Sequence, residues 1–337
     1  MKFGILATPI YGKETDPAVQ FAEHKELLQL AEQLGFDTIV AGQHFLGTEL
    51  RYYQPVPYLT YLSTFTPSME VAIGIILLSL VNPVETAEQV ATLDAVTGGK
   101  AILGLGLGYA DHEFKALGIP RESRVERFEE SLELIKALWS GKEVNFKSEN
   151  FIVEKVSPSV LPVQRPRPPI WIGGQGEQAI RRAARLSDAW YAPPFPTHEG
   201  LARLRAVFLE EREKSGLSLD GEFPLRREMV IAPSKSQARK LASDWSAARY
   251  KTYLKWGLGE TLDSDAKGFG SSEDKDIDAR FLLGTADDCA QALHDLRADL
   301  GMTQFMFKAH WPGVPHSESM RQLELFGTKV IPQLRKA

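Results

Sequence analysis

The sequence predicts an α/β fold, a (β/α)8 barrel formed by one domain that spans residues 1–337. Short runs rich in β-branched residues alternate with longer segments of helical period, which is typical of repeated β-α units around a parallel sheet. Eight of these runs have the pattern of strands, and eight strands close such a barrel. The chain has 337 residues, 43% of them hydrophobic, so it can bury a barrel core as a single domain.

In chain order, the predicted strands are Lys2–Leu6, Thr38–Ala41, Glu70–Leu77, Ala101–Gly106, Ile170–Gly173, Asp188–Ala192, Leu225–Ile231 and Thr303–Lys308. Helical segments lie between them. One of these is Arg124–Trp139, in which Phe128, Leu132, Ile135 and Trp139 recur at helical spacing and form one apolar stripe.

Two segments fall outside this alternation and predict insertions after the fourth and seventh strands. Residues Glu143–Val153 have the pattern of a small β-hairpin. Residues Gly257–Asp278 are polar, rich in Gly, Ser and Asp, and lack an apolar period, which predicts a mobile loop. Two interpretations of this loop stay open: a lid over the active face, and a surface insertion.

The charge and the composition of the chain indicate which classes of binding partner are expected. The formal net charge is -5, from 39 basic and 44 acidic side chains. Because long runs of one charge are absent, nucleic acid and anionic membranes are not favoured, and a small-molecule substrate is expected. The single cysteine, Cys289, lies in an Ala- and Leu-rich helical stretch, which predicts a buried, inert thiol. The sequence has no signal-peptide pattern and no apolar run of membrane-spanning length, so we expect a cytoplasmic protein.

The most informative local motif is Gly173-Gly174-Gln175-Gly176, which lies between the fifth predicted strand and a helix that begins near Glu177. Glycines let a ligand approach the backbone closely, and the free N–H groups at a helix start bind anions such as phosphate. Two interpretations stay open: a phosphate site for a phosphorylated cofactor, and a tight barrel turn that needs positive φ angles.

A second glycine array, Gly104-Leu105-Gly106-Leu107-Gly108-Tyr109, ends the fourth strand. Tyr109 stands where the dinucleotide fingerprint has its third glycine, and no Walker-type Lys-Ser/Thr follows, so a nicotinamide site is not favoured. Gly108 and Tyr109 are instead candidates for contact with a flat cofactor ring. Close packing at a strand end is the structural alternative.

His44 is the first catalytic candidate. It follows the second strand directly, at the rim where barrel side chains point into the site, and an imidazole exchanges protons near neutral pH. His310 has the same position after the eighth strand, with weaker support. The cluster Asp111-His112-Glu113 lacks metal-ligand spacing, so we interpret it as a solvated helix start and predict no metal.

Further candidates follow the third, second and sixth strands. Ser79 is a candidate to hydrogen-bond a cofactor ring, although capping of local backbone is the commoner use of such a serine. Several aromatic side chains are candidates for the walls of an apolar substrate pocket, with helix packing and loop stiffening as the alternative: Tyr52, Tyr53, Tyr58, Tyr61 and Phe195.

Four strings together resemble the bacterial luciferase-like family of flavin-dependent monooxygenases and deazaflavin-dependent oxidoreductases. In order, they are GFDTIVAGQHF, IGIILLSLVNPVETAEQVATLDAVTGGKAILGLGLGY, RFEESLELIKALWSG and PPIWIGGQGEQAIRRAARLSDAW. Each string alone is a weak signal. Their common order is specific for the family, and the match spans nearly the whole chain.

The resemblance implies a flavin across the carboxyl-terminal mouth of the barrel, with its phosphate near the Gly173–Gly176 turn, and it favours the phosphate interpretation of that turn. It implies that His44 lies beside the ring. It also implies that Leu78, Ser79 and Leu80 pack under the ring through a cis non-prolyl peptide, and that the protein is a homodimer. Relatives that oxidise alkanes or alkanesulfonates have a phosphate-binding tyrosine where this chain has Val125, so those substrates are not carried over.

The leading functional hypothesis is a monooxygenase in which reduced FMN, supplied by a separate flavin reductase, reacts with O2 to oxidise a small organic substrate, with His44 as the proton relay. The first alternative uses an 8-hydroxy-5-deazaflavin coenzyme to transfer hydride without O2. The second alternative is a non-catalytic flavin-binding protein. None of these hypotheses specifies the substrate.

Overall fold

Eight parallel strands form a barrel with helices on its outer face, in a computed structural model that describes residues 1–7, 11–12, 14–47, 50–262, 266 and 268–336. The predicted fold class is confirmed. The strands, numbered one to eight here, are Lys2–Leu6, Thr38–Ala41, Glu70–Leu77, Ala101–Gly106, Ile170–Gly173, Ala189–Tyr191, Pro224–Arg226 with its continuation Glu228–Ile231, and Gln304–Phe307.

Strand order shows how the ring closes. Each strand from one to five pairs with the next, and strand eight pairs with strand one. A single bridge, from Ala192 to Leu225, joins strands six and seven. Strand seven divides at Arg227: its first half pairs with strand eight, and its second half pairs with an additional strand, Phe281–Gly284. The sequence analysis did not predict this additional strand.

The helices follow the strands in the predicted alternation. They are α1 (Pro17–Gln33), α2 (Pro55–Ser63), α3 (Pro83–Val96), α4 (Asp111–Leu117), α5 (Arg124–Trp139), α6 (Glu177–Leu186), α7 (His198–Lys214), α8 (Lys235–Lys255), α9 (Asp274–Asp278), α10 (Ala286–Leu300), α11 (His316–Leu325) and α12 (Ile331–Lys336). The described residues also form the 3-10 turns Leu78–Leu80, Arg121–Ser123 and Leu258–Thr261 and a π-helical turn, Phe326–Val330.

Local sequence explains where several helices begin. Asn82 caps α3 by accepting hydrogen bonds from two backbone N–H groups, and Pro83 occupies the first helical position, where a missing N–H costs nothing. Thr285 and Asp288 form a reciprocal capping box at the start of α10. In the described part of the chain, no helix is both long enough and apolar enough to cross a membrane.

Both predicted insertions have structure. Val144–Lys147 and Ile152–Val156 form the expected antiparallel hairpin after α5. The second insertion contains the turn Leu258–Thr261 and α9, and Leu258, Phe269 and Ile277 are buried there in an apolar cluster. Residues 263–265 and 267 of the predicted mobile loop lie outside the described residues, so its motion stays a prediction.

The core has two layers because side chains alternate between the two faces of each strand. The larger layer lies between the barrel and its helices. It includes Cys289 of α10, where burial, with Asp288 nearby, raises the pKa of the thiol to about 12, as suits the inert thiol that the sequence predicted. A smaller cluster fills the barrel interior: Leu6, Val40, Ala72, Ile102, Trp171, Ala189, Tyr191 and Met306.

Candidate active site

A cavity of about 660 Å³ opens at the carboxyl ends of the strands, a size that suits a cofactor or a drug-sized ligand. The structure brings together seven of the eight predicted site residues in its lining: His44, Gly108, Tyr109, Gly173, Gly174, Gln175 and Gly176. Seven further residues that no sequence pattern indicated also line the cavity: Gln43, Ile75, Arg124, Arg182, Tyr191, Arg226 and Tyr253.

Ser79 is the predicted site residue that the cavity does not include. Its side chain is fully buried in the 3-10 turn after strand three, and its hydroxyl donates to the backbone oxygen of Arg124. Leu78 and Leu80 do not line the cavity either, which corrects the expectation that these three residues lie under a ring. Their turn packs against α5. The cis non-prolyl peptide lies four residues before Leu78, between Gly74 and Ile75.

Glycines on neighbouring strands leave a shelf in which Ile75 is the central side chain. A Cβ atom at Gly106 would lie 2.1 Å from Cδ1 of Ile75, and one at Gly42 would lie 2.7 Å from the carbonyl oxygen of Gly74. Any side chain at these positions would therefore displace Ile75 or the backbone. The glycines leave room for the Ile75 side chain, which packs over Gly104, Gly106 and Gly173 and forms the surface of the shelf.

Gln43 fixes this shelf. Its backbone N–H donates to the Ile75 oxygen at 3.0 Å, and its side-chain oxygen accepts from the Leu77 N–H at 2.9 Å. Its side-chain nitrogen donates to Gln54. Strand three is irregular between Ile73 and Ile76, so its register with strand four shifts there. The amide of Gln43 therefore supplies hydrogen-bond partners that a regular ladder would have given.

His44 is oriented by a buried carboxylate. Its Nδ1 atom lies 3.1 Å from Oε1 of Glu113, and the same oxygen accepts from the backbone N–H of Phe45 at 2.7 Å. A carboxylate only accepts, so Nδ1 is the donor and Nε2 is the nitrogen left for the cavity. Glu113 is fully buried, which corrects the interpretation of Asp111-His112-Glu113 as a solvated helix start. Burial arises because α4 packs onto the turn after strand three.

Aromatic side chains enclose His44. The centroids of Tyr52 and Trp256 lie 5.0 and 5.1 Å from the imidazole centroid, and those of Tyr109 and Tyr253 lie 5.7 and 6.1 Å away. The Tyr52 and Tyr253 hydroxyl oxygens are 2.6 Å apart. Burial raises the pKa of Tyr52 and of Tyr109 above the ordinary phenolic value, so both are neutral at physiological pH.

Tyr52 and Phe195 line the cavity, as predicted for pocket walls, but the other predicted aromatics do not. Tyr53 stacks on Phe21 of α1, Tyr58 contacts His24 of α1, and the Tyr61 ring meets that of Phe21 edge-on at 5.6 Å, so helix packing explains these three. His310 is buried with its ring 5.6 Å from that of His24, away from the cavity lining.

The Gly173–Gly176 turn does not need positive φ angles, so the tight-turn interpretation is wrong in that respect. Gly176 caps α6 without a side-chain hydrogen bond, and the first N–H groups of this helix face the cavity, where Glu177, Gln178 and Ala179 line it. Such N–H groups, at the positive end of the helix dipole, form an anion site.

Three arginine residues line the same cavity as this turn. Arg121, Arg124 and Arg182 line the same part of the cavity, beside Val125. Arg121 pairs with Asp111 at 2.7 Å and Arg182 with Glu129 at 2.9 Å, whereas Arg124 has no carboxylate partner within the described ranges. Burial, and then the charges of Arg121 and Arg182, lower the pKa of Arg124. An anion here would relieve this repulsion, so the turn fits the phosphate of a flavin.

The turn Leu258–Thr261 contributes Leu258, Glu260 and Thr261 to the cavity lining. The side-chain nitrogen of Gln175 donates to the Thr261 hydroxyl at 2.5 Å, and Arg121 lies 3.6 Å from Glu260. The turn therefore joins the insertion after strand seven to the anion site. No group of three acidic, histidine or cysteine side chains with metal-binding geometry occurs within the described portion of the chain.

Comparison with known proteins identifies the family of this chain. The family profile described as luciferase-like monooxygenase matches residues 1–304. The F420-dependent glucose-6-phosphate dehydrogenase of Nakamurella multipartita is 27% identical to the chain over 341 residues, which cover 93% of each protein. A similar protein that uses FMN is the FMNH2-dependent dimethylsulfone monooxygenase of Pseudomonas putida, 29% identical over 53% of this chain and 50% of that protein.

Solved structures show the same fold. The monooxygenase RslO1 from Streptomyces bottropensis superposes with a TM-score of 0.82 at 22% identity, covering 99% of this chain and 100% of that one. Relatives in both cofactor classes support a flavin-type cofactor, FMN or the deazaflavin F420. With the family profile spanning most of its length, the chain is an oxidoreductase that belongs to the luciferase-like monooxygenase family.

Proposed function

We propose that this protein is a flavin-dependent monooxygenase that uses reduced FMN and O2 to oxidise a small organic substrate. The observation that carries the proposal is that Nε2 of His44 is left for the cavity inside a wall of four aromatic rings. Reduced flavin, when bound, supplies the electrons that activate O2. The residues described below hold the cofactor, exclude water and move protons.

The cofactor would lie with its ring on the glycine shelf around Ile75 and its phosphate at the start of α6. The phosphate would accept from the N–H groups of Glu177, Gln178 and Ala179, and Arg124 would supply the main compensating charge. With Arg121, Arg124 and Arg182 in this cavity, the chain would not need the tyrosine contact that some relatives have at the position of Val125.

His44 would exchange one proton with the substrate through Nε2. Glu113 accepts from Nδ1 at 3.1 Å, so it fixes the tautomer and stabilises the imidazolium that forms when Nε2 takes a proton. The aromatic wall would keep bulk water from the reacting centre. A flavin that activates O2 requires this, because water diverts the flavin to unproductive oxidation.

Deazaflavin-dependent hydride transfer without O2 is the second candidate. It is favoured by the relative from Nakamurella multipartita, an F420-dependent glucose-6-phosphate dehydrogenase that matches over 93% of this chain. The same His44–Glu113 pair would hold the proton that accompanies the hydride. A flavin reductase as electron supplier and a homodimer belong to the first proposal, and a flavin-binding protein without turnover is the remaining alternative.

Cofactor titration followed by single-turnover oxidation tests the proposal. We expect the purified protein to bind FMN, and its reduced FMN complex to oxidise an added organic substrate only when O2 is present. Binding of a deazaflavin without binding of FMN, or substrate-dependent cofactor oxidation under anaerobic conditions, would contradict the monooxygenase and support the second candidate.

His44→Asn separates an enzyme from a non-catalytic flavin protein. The asparagine amide nitrogen can still donate to Glu113, but it has no equivalent of Nε2. We expect unchanged FMN affinity and a large loss of substrate oxidation. A variant that turns over as fast as the wild-type protein would remove His44 from the mechanism.

A further inference from the structure

The mouth of the barrel has two unlike halves. Strands two to five present the glycine shelf described above, whereas strands six to eight present polar side chains on the inward face. Tyr191 ends strand six, beside Gly173 of strand five, and Arg226 lies beside Met306, which belongs to the inner cluster. Lys308 follows strand eight and lies two residues after Met306, so the alternation of side chains along an extended chain places both on the same face. Tyr191 and Arg226 line the cavity.

Three donor atoms of this polar half have no acceptor among the residues that the structure describes. The Tyr191 hydroxyl, in a residue that is 6% exposed, has no hydrogen-bond partner among the residues that the structure describes. The same holds for Nε of Arg226 and for Nζ of Lys308. Buried polar groups in proteins nearly always have partners, and each orphaned donor costs stability. Tyr191 and Arg226 therefore lack an acceptor that a cavity ligand can supply.

The charge balance gives the sign of that ligand. Glu228 accepts from Arg226 at 2.8 Å and also pairs with Arg249, and both Glu228 and Arg249 are fully buried. Two guanidiniums thus share one carboxylate. Glu228 engages Nη2 of Arg226 and leaves Nε for another acceptor. The excess charge is positive and lies in a desolvated site, where an anion is attracted far more strongly than at a surface.

We propose that the substrate is an organic acid whose carboxylate binds between the Tyr191 hydroxyl and Arg226. This inference rests on the proposed function and adds a substrate class to it. The apolar body of the acid would lie along Tyr253 and Phe195, which line the adjoining wall. The Arg249 guanidinium lies 5.6 Å from the Tyr253 ring centroid, so the cationic cluster adjoins this wall directly.

A flavin also carries an acceptor, the carbonyl edge of its ring, which could satisfy the same donors. The two sources predict different results. If the cofactor is the ligand, removal of the Tyr191 hydroxyl weakens cofactor binding. If the substrate carboxylate is the ligand, cofactor binding is unchanged and only acid binding weakens.

The experiment compares benzoate with benzamide, which has nearly the same shape without the charge. Each compound is titrated into the protein, which is first loaded with the cofactor that the protein binds. Heat release and the absorption spectrum of the cofactor are followed. The variants are Tyr191→Phe, which removes a hydroxyl that has no hydrogen-bond partner among the described residues, and Arg226→Gln. The matched control is Arg239→Gln, because Arg239 pairs with Asp278 outside the cavity lining.

We expect benzoate to bind at least about tenfold more tightly than benzamide, and both cavity variants to lose about tenfold in benzoate affinity while the control loses none. Tyr191→Phe should keep the melting temperature and the cofactor affinity. Equal binding of benzoate and benzamide, no saturable benzoate binding, or a loss of cofactor affinity in Tyr191→Phe would overturn the inference. Benzoate binding without oxygen-dependent turnover of any acid would instead contradict only the proposed function.

Discussion

Nδ1 of His44 lies 3.1 Å from Oε1 of Glu113, although the two residues are 69 positions apart and the carboxylate is fully buried. A histidine with a buried carboxylate on one nitrogen and a cavity at the other is arranged to pass protons through the second nitrogen.

Glu113→Gln should lower substrate oxidation about 100-fold, near the lower end of the effect of a positioned acid–base group. The amide oxygen still accepts from Nδ1, so the imidazole keeps its place, but the charge that stabilises the imidazolium is lost. Steady-state rates across pH, with FMN affinity measured in parallel, check this. Glu126→Gln, on an exposed residue of α5, is the control, and equal rates for the two variants would contradict the role of Glu113.

Arg124→Gln should raise the dissociation constant of FMN about tenfold, corresponding to the loss of one charge-assisted hydrogen bond. Riboflavin lacks the phosphate, so its affinity should not change. Fluorescence titration with both ligands makes the comparison within one protein. An equal loss for FMN and riboflavin would show that Arg124 acts on the ring or on folding rather than on a phosphate.

Gly106→Ala should abolish cofactor binding, because the new Cβ would lie 2.1 Å from Cδ1 of Ile75 and push that side chain into the space above the shelf. The double variant Gly106→Ala with Ile75→Ala should recover part of the affinity. Gly221→Ala is the control, since the nearest atom to its Cβ lies 3.7 Å away. Wild-type FMN affinity in the single Gly106 variant would show that the ring does not use this shelf.

Thr261→Val should speed the release of the cofactor by a factor of about five to ten, because it removes the hydrogen bond from Gln175 worth about 1 kcal/mol. Stopped-flow displacement of bound FMN measures this rate. The prediction tests the lid interpretation of the insertion after strand seven. Unchanged release, with unchanged thermal stability, would favour a surface insertion.

Stability should fall as the pH drops through the acid range. Burial, with the charges of Lys308 and His316, lowers the pKa of His24 to about 3. The unfolded chain therefore binds one more proton than the folded chain between about pH 6.5 and 3, so the contribution of His24 is complete above this window and is lost within it. The slope is at most about 1.4 kcal/mol per pH unit.

Urea unfolding at several pH values checks this slope. His24→Gln should flatten it, whereas His294→Gln, at a side chain that is 54% exposed, should not. Parallel slopes for the wild-type protein and the His24 variant would assign the acid sensitivity to another group, such as Glu228, whose pKa burial raises but Arg249 and Arg226 lower to about 2 overall.

The sequence by itself determined the barrel, its eight strands and the rim positions of His44, Tyr109 and the Gly173–Gly176 turn. These features are local: β-branched runs, helical periods and glycines at strand ends are written in consecutive residues. The hairpin after α5 was equally local and was predicted. The additional strand Phe281–Gly284 was not predicted, because it is defined by its pairing with the second half of strand seven, Glu228–Ile231.

Only the tertiary structure decided which rim residues act together. Burial of Glu113 depends on how α4 packs, and removal of Ser79 from the site depends on the contact between its turn and α5. The Tyr191 hydroxyl and Nε of Arg226 have no hydrogen-bond partner among the described residues, and their neighbours in sequence do not indicate this. A side chain's charge and type are local properties, but its burial and its partners are set by strands that meet across the barrel.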